Sequence, residues 1–181
     1  MNDGLIPRRY AKALLKFAAE RGQDKRVYEL MQALCDSFAA QPALGKAVTN
    51  PFVGEADKTK LLMTAAGATD KDTVFADFIK LLIANNRIGM MRPMAMAYLG
   101  MYRRANNIYL VEITSAAPLA DKEMNRLKAL IESHVDGATV EYETAVDPEL
   151  IGGFVVKIDS ERLDASIKNE LKQLRLKLLS K

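Results

Sequence analysis

The sequence predicts a mainly α fold with a smaller α+β part: an N-terminal six-helix bundle followed by a small βαββα C-terminal domain. Apolar residues recur at helical spacing through the first hundred positions. After Asn106-Asn107 the period changes to the alternation that is typical of strands. Because no proline- or glycine-rich linker separates the two patterns, we place the boundary near residue 105 and expect domains over residues 1–105 and 106–181.

Helical spacing with clear breaks predicts the first four helices. The first begins around Pro7, a residue that suits the first turn of a helix, and ends at Gly22. Its apolar stripe consists of Tyr10, Ala13, Leu14, Phe17 and Ala18. The next three helices are predicted over residues 25–41, 43–48 and 55–66.

The fifth predicted helix, over residues 71–85, is apolar on nearly all sides and leaves Asp77 and Lys80 as its polar middle. Such a helix lies at the centre of a bundle or is covered by a partner. A sixth helix follows the polar break Asn85-Asn86-Arg87 and continues to about Asn106. It is rich in methionine, which favours core packing over the alternative of an adaptable binding surface.

Strand-like alternation and turn residues define the C-terminal domain. Strands are predicted over residues 109–114, 140–143, 154–158 and, more briefly, 161–163. A helix introduced by Pro118 and Asp121 runs to about Val135. The last helix begins at about Ala165, with Asp164 as its expected cap, and runs to the end of the sequence.

Composition excludes several classes of protein. The 181 residues are 49% hydrophobic and 27% charged, which is typical of a folded chain rather than a disordered one. The formal net charge of +3 is too small to indicate nucleic-acid binding by itself. We find no signal-peptide pattern and no apolar run of membrane-spanning length, so we expect a protein that is cytosolic or peripheral to a membrane.

No constellation of residues indicates catalysis, a metal or a cofactor. A phosphate-binding glycine loop is absent, and Gly152-Gly153 precedes a strand, where a bulge or a close backbone approach is the simpler interpretation. The single histidine, His134, and the single cysteine, Cys35, are too few for a soft-metal site. We therefore predict a protein that is not an enzyme and has no cofactor.

An RNA-binding helical module of the antitermination-factor type is the alternative function. It depends on the helical bundle and on the basic residues of the first helix, which are Arg8, Arg9, Lys12 and Lys16. Aromatic residues are not interleaved with these cations, as base stacking would require, so a solvated face is favoured. This alternative also leaves the C-terminal domain unexplained.

Apolar surface is the more informative feature. The first-helix stripe and the excess apolar surface of the fifth helix could form a groove for an amphipathic helix, although intramolecular packing alone would also explain them. On the last helix, a seam with the spacing of a coiled coil is surrounded by lysine and arginine, and it consists of Ile167, Leu171, Leu174 and Leu178. That seam predicts a helical, acidic partner.

Four segments, in order, carry a family resemblance. They are Arg9-Tyr10-Ala11-Lys12-Ala13-Leu14, Ile83-Ala84-Asn85-Asn86-Arg87-Ile88, Ile113-Thr114-Ser115-Ala116-Ala117-Pro118-Leu119 and Asp147-Pro148-Glu149-Leu150-Ile151-Gly152-Gly153. With them the chain resembles, over essentially its whole length, the delta subunit of bacterial F-type ATP synthase, a relative of the mitochondrial oligomycin-sensitivity-conferring protein. One departure is Ala165, which stands where the family commonly has glycine.

The resemblance implies a non-catalytic stator subunit that links the catalytic head to the peripheral stalk and resists the torque of the rotor. It would act at the cytoplasmic face of the bacterial plasma membrane, without inserting into it and without binding nucleic acid. The implied partners are the N-terminal helix of an alpha subunit, held by the bundle, and the b subunits, which would meet the C-terminal domain at the seam of the last helix. The expected groove is formed by Tyr10, Ala13, Leu14 and Phe17, with Phe75, Ile79, Leu82 and Ile83 opposite.

Overall fold

A computed structural model describes residues 4–135, 137–158 and 161–179, and in it the chain divides into two compact units, Met1–Tyr102 and Arg103–Lys181. Asp136, Asp159 and Ser160, which belong to two of the predicted turns, lie outside the described residues. The fold class, a helical N-terminal part and a small α+β part, is confirmed.

Six α-helices make up the helical part. They are α1 (Leu5–Glu20), α2 (Asp24–Ala40), α3 (Pro42–Thr49), α4 (Glu55–Ala66), α5 (Thr73–Ala84) and α6 (Met91–Ala105). Each differs from its predicted range by only a few residues, and a short 3-10 turn over Ile88–Met90 leads into α6. The largest buried side chains of this unit include Tyr98, Phe75 and Leu30, so α2, α5 and α6 all contribute to the core.

Asparagine pairs end both α5 and α6. The second residue of each pair, Asn86 and Asn107, has a left-handed backbone with φ of 53°. Asparagine tolerates this conformation better than most residues, and it is a common way to end a helix. After Asn86 the amide of Arg87 donates back to the carbonyl oxygen of Leu82 at 2.7 Å, so the polar break in the sequence is a helix terminus.

A buried carboxylate joins α2 to the turn before α5. The Asp72 side chain is only 7% exposed and accepts from Nε of Arg26 at 2.9 Å. It also accepts from the backbone amide of Thr69 at 2.7 Å and from the Thr69 hydroxyl at 3.0 Å. The hydrogen bond from Arg26 is the main cause that lowers the pKa of Asp72 to about 2, so this residue is ionised in the folded protein.

A four-stranded mixed sheet forms the C-terminal unit. Its strands are β1 (Ile108–Ser115), β2 (Thr139–Val146), β3 (Gly153–Ile158) and β4 (Glu161–Ser166), in the spatial order β2-β1-β3-β4. β1 pairs with β2 in parallel, and both other pairs are antiparallel. The helix α7 (Asp121–His134) connects the two parallel strands.

The core of this unit lies between α7 and one face of the sheet. Buried residues of α7 pack with buried residues of β1 and β3, and the cluster consists of Val111, Ile113, Leu127, Ile131, Val135 and Val156. By alternation, the same sheet face continues onto β4 at Leu163, which pairs with Val156. Leu163 is nevertheless 61% exposed, so the core does not extend to that edge.

The last strand is longer than predicted, and the last helix, α8, starts later, at Ile167–Leu179. Ala165, expected at the start of the helix, is a strand residue paired with Phe154. The expected cap Asp164 is also wrong, because its carboxylate accepts from the amide and hydroxyl of Ser166. The Ser166 hydroxyl in turn accepts from the amide of Asn169 at 3.2 Å, which is the hydrogen bond of an N-cap.

Candidate functional site

An open groove of about 310 Å³ lies between α1 and α5. All four residues predicted for its α1 wall line it: Tyr10, Ala13, Leu14 and Phe17. Leu14 is only 4% exposed and forms part of the floor, Ala13 is exposed, and the two aromatic side chains are half-buried. The small side chain of Ala13 lies between the two aromatic side chains, so the backbone of a docked helix can approach α1 closely there.

The α5 wall of the groove was predicted on the wrong face of the helix. Phe75, Ile79 and Leu82 have no exposed surface and pack inside the bundle, so they cannot contact a partner in this structure. Residues of the adjacent face line the groove instead, and they are Val74, Asp77, Phe78 and Leu81. Since α5 is apolar on nearly all sides, its sequence could not tell the core face from the groove face.

The remaining predicted residue, Ile83, lies in a separate depression between α4 and the end of α5. That depression is lined by Glu55, Ala56, Thr59, Lys80, Ile83 and Ala84. Ile83 is half-buried and does not line the groove with α1. The structure therefore brings the four α1 residues together and separates them from the four α5 residues predicted opposite.

Charged groups touch the groove at few points. Asp77 is its one charged lining residue, and its Oδ1 atom lies 3.5 Å from the ammonium of Lys80, one turn along α5. The guanidinium carbon of Arg21 lies 4.5 Å from the centre of the Phe17 ring, so a cation lies over that ring at one end of the α1 wall. The lining is otherwise carbon surface and the Tyr10 hydroxyl, which suits an apolar helix face.

The seam predicted on the last helix is exposed to solvent along its whole length. Ile167, Leu171, Leu174 and Leu178 are between 43% and 72% exposed, and no residue of α8 is buried. Lys168, Lys172, Arg175 and Lys177 are exposed on the same helix, with Glu170 as the one acidic residue from Ile167 to Leu179. A helix with this much uncovered apolar surface needs a partner to bury it.

Contacts at its first turn anchor α8 to the sheet. The amide of Ile167 donates to the carbonyl oxygen of Gly152 at 3.0 Å, and the ammonium of Lys168 lies 3.2 Å from a carboxylate oxygen of Glu149. The Ile167 side chain packs directly over Gly152, where a Cβ atom would lie 2.5 Å from Cδ1 of Ile167. The Gly152-Gly153 segment therefore supports the first turn of α8.

A third apolar surface, missed by sequence reasoning, lies beside α7. A cleft of about 420 Å³ separates α7 from the β3-β4 hairpin, and Leu130 and Leu163 line it with exposures of 62% and 61%. The short strand predicted at 161–163 was the only signal for it. The complete β4 widens the sheet by one strand, and α7 is too narrow to cover that strand.

Residues 4–135, 137–158 and 161–179 contain neither a metal-binding cluster nor a membrane-spanning helix. There, no group of three or more histidine, cysteine, aspartate or glutamate side chains is arranged to hold a metal ion. No helix within those ranges is long and apolar enough to cross a membrane.

Comparison with known proteins gives the family. The model of the ATP synthase delta (OSCP) subunit family matches residues 6–178, which include both units. The chain belongs to this family. It is 38% identical to the ATP synthase subunit delta of Phocaeicola vulgatus over 181 residues, covering 100% of this chain and 97% of the relative. It is 37% identical to that of Parabacteroides distasonis over 179 residues, covering 99% and 98%.

A solved structure shares the fold of this ATP synthase delta (OSCP) family member. A chain from the cryo-EM structure of the Toxoplasma gondii mitochondrial ATP synthase hexamer superposes with a TM-score of 0.77 at 19% identity. The match covers 96% of this chain and 97% of that chain. Both the helical part and the mixed-sheet part thus belong to one known architecture.

Family membership makes the chain a non-catalytic subunit of ATP synthase. The RNA-binding alternative is not supported, because that hypothesis depended on the bundle alone. The family match instead continues through the sheet and most of α8.

Proposed function

We propose that this chain is the stator subunit that links the alpha/beta catalytic head of ATP synthase to the b-subunit peripheral stalk and so resists rotor torque during ATP synthesis. Its place would be the cytoplasmic face of the bacterial plasma membrane, as a peripheral part of the complex. The helical unit, predicted as residues 1–105, would bind the head, and residues 106–181 would face the stalk. The observation that carries this proposal is the open apolar groove between α1 and α5.

The groove supports binding of the N-terminal helix of an alpha subunit. Its walls present two rows with the same helical spacing, which are apolar except for Asp77: Tyr10, Ala13, Leu14 and Phe17 on α1, and Val74, Asp77, Phe78 and Leu81 on α5. A helix lying between them would bury an i, i+3, i+4, i+7 stripe against both walls. The groove floor is already packed in the free protein, so little ordering cost opposes binding.

The exposed seam of α8 supports a contact with the b subunits. The 4-3-4 spacing of the seam matches a coiled-coil interface. The described part of α8 carries four lysine or arginine residues and one glutamate, so two copies would repel each other and an acidic helix is the better partner. These two surfaces support the proposal of one contact with each partner.

Calorimetry with the full chain and a synthetic peptide of the alpha-subunit N-terminus tests the groove. We expect saturable binding to wild type and severe loss with Ala13→Trp, because the indole fills the low point of the α1 wall. Ala19→Trp is the matched control, since Ala19 is an exposed alanine of the same helix outside the groove. Absence of binding to wild type at roughly 0.5 mM peptide, where about −5 kcal/mol is still detectable, would contradict the proposal.

Co-purification with a soluble b-subunit fragment tests α8. We expect the double variant Leu171→Asp/Leu174→Asp to lose the fragment, because two carboxylates would enter an apolar seam. Gln173→Asp adds a carboxylate on the same helix away from the seam and should retain it. If both variants retained the fragment equally, the stalk contact would lie outside the α8 seam.

A further inference from the structure

Asp77 is a charged residue in an otherwise uncharged groove. It lies on α5 between Val74 and Phe78, all three line the groove, and its side chain is 52% exposed. Val74 and Phe78 are buried, so the carboxylate is the polar feature that α5 presents to an occupant. An apolar groove accepts many amphipathic helices, and a charge at its rim is a means to distinguish between them.

The Asp77 carboxylate contributes little to the stability of the fold. Among the described residues, its ion-pair partner is Lys80, with Oδ1 and Nζ 3.5 Å apart and side chains that are 52% and 68% exposed. Such a surface pair along one helix contributes little to stability. A carboxylate has about four acceptor sites, so Asp77 keeps the capacity to accept from a partner.

The opposite wall has the opposite charge. On α1, Arg9 and Lys16 lie four residues before and three residues after Ala13, so helical spacing places both beside it on the surface. Both are exposed. A helix in the groove would therefore meet Asp77, with Lys80 beside it, on α5. On α1 it would meet positive charges, from Arg9 and Lys16 on the outer side and from Arg21 over the Phe17 ring.

We propose that Asp77 biases which helix the groove prefers and how that helix is rotated. The preferred occupant has an apolar stripe with a lysine or arginine on the side that faces Asp77 and an acidic residue on the side that faces Arg9 and Lys16. This inference rests on the proposed function of the groove and adds the charge pattern of its partner. A helix with the reverse pattern would place like charges together at both rims and would bind more weakly.

A rim charge of this kind acts through specificity and association rate more than through affinity. Asp77→Asn keeps the shape of the side chain and removes its charge. We expect it to raise the Kd of the alpha-subunit N-terminal peptide roughly two- to fivefold at low salt, the range of exposed ion pairs. The salt dependence of the wild-type Kd should become shallower in this variant, because an attractive pair is no longer screened.

The experiment uses the full chain and a set of peptides in which each lysine or arginine is replaced in turn by glutamine. We expect one replacement to weaken binding to wild type and to have no effect on Asp77→Asn, which identifies the residue opposite Asp77 by a double-mutant cycle. Asp36→Asn is the matched control, because it removes an exposed carboxylate from α2, outside the groove. It should leave every Kd unchanged.

Two results would overturn the inference while leaving the groove as a binding site: wild-type affinity and salt dependence in Asp77→Asn, or the same peptide profile in both proteins. Failure of the wild-type chain to bind any peptide would instead contradict the proposed function, and this inference with it.

Discussion

The two proposed binding surfaces differ in how they are supported. The groove between α1 and α5 has a floor of side chains that also belong to the core, such as Leu14 at 4% exposure. The seam of α8 has no buried residue, and the described contacts of α8 with the sheet lie at its first turn. A preformed groove binds with little rearrangement, whereas an exposed helix can adapt its side chains to a partner helix.

This difference has a consequence for mutation. Under the proposed function, residues of the groove floor would serve folding and binding together, so their substitution should affect both. Leu171, Leu174 and Leu178 of the α8 seam would serve binding without contributing to the folded core, so their substitution should leave the fold intact.

Gly153→Ala should disrupt the pairing of β3 with β4, which leads into the first turn of α8. Gly153 has φ of +75°, and an added Cβ would collide with the backbone carbonyl oxygen of Ala165. Backbone strain and the forced separation of β3 from β4 should together cost about 3 kcal/mol or more. Hydrogen exchange should show lost protection in β3 and β4 and unchanged protection in α1–α5.

Gly137→Ala is the control for that variant. Gly137 has a similar φ of +74°, but an added Cβ would meet nothing within 4 Å. Its cost should be limited to backbone strain of about 1 kcal/mol. If the two substitutions lowered stability equally, the close approach to Ala165 would contribute nothing to the cost of Gly153→Ala.

Leu14→Ala should destabilise the helical unit by about 2 to 3 kcal/mol, because a buried leucine leaves a cavity. The same substitution should also weaken peptide binding, since Leu14 lines the groove. Denaturant unfolding and calorimetry measure the two effects. A loss of binding without a loss of stability would contradict the idea that the floor is shared with the core.

Protonation of Asp72 should lower the free energy of unfolding of the helical unit as the pH falls below about 4. Its pKa is lowered to about 2 in the folded protein, from an ordinary value of 3.8. The ionised form is therefore favoured by folding, and its contribution is complete above about pH 4 and is lost as the pH falls toward 2. We expect the free energy of unfolding to decrease by about 2 kcal/mol over this range from this group.

Asp72→Asn isolates that contribution. The variant should be less stable than wild type at pH 5, and the difference should shrink as the pH falls to 2. Unfolding by urea at a series of pH values measures it. A constant difference between the two proteins would show that the pair of Asp72 with Arg26 does not control the acid response.

Leu174→Ala should change stability by no more than about 0.5 kcal/mol, because this side chain is 58% exposed. Its effect should appear only in the affinity for a b-subunit fragment. A stability loss as large as that of Leu14→Ala would mean that α8 is packed in solution, which would remove the contrast between the two surfaces.

Much of the fold could be predicted because its elements have clear signals. Glycine, proline and asparagine pairs mark the helix ends, and the change of period after Asn107 marks the first strand. The β4-α8 junction was misplaced because Asp164 and Ser166 are both good caps in sequence. Only their mutual hydrogen bond, with the Ser166 hydroxyl turned to Asn169, distinguishes them.

The candidate site, too, could be predicted only in part. The α1 wall of the groove could be predicted because α1 has one apolar stripe and a polar remainder. On α5 the polar residues Asp77 and Lys80 are too few to mark the outward face, so Phe75, Ile79 and Leu82 were assigned to it although they are buried. The cleft beside α7 depends on how far a helix covers a sheet, which no local pattern encodes.

Under the proposed function, one chain holds two partners through separate surfaces. Sedimentation of the full chain with a labelled alpha-subunit N-terminal peptide and a b-subunit fragment can detect both contacts at once. We expect a ternary complex in which Ala13→Trp loses only the peptide and Leu171→Asp/Leu174→Asp loses only the fragment. Competition between peptide and fragment, or loss of both partners from either variant, would contradict it.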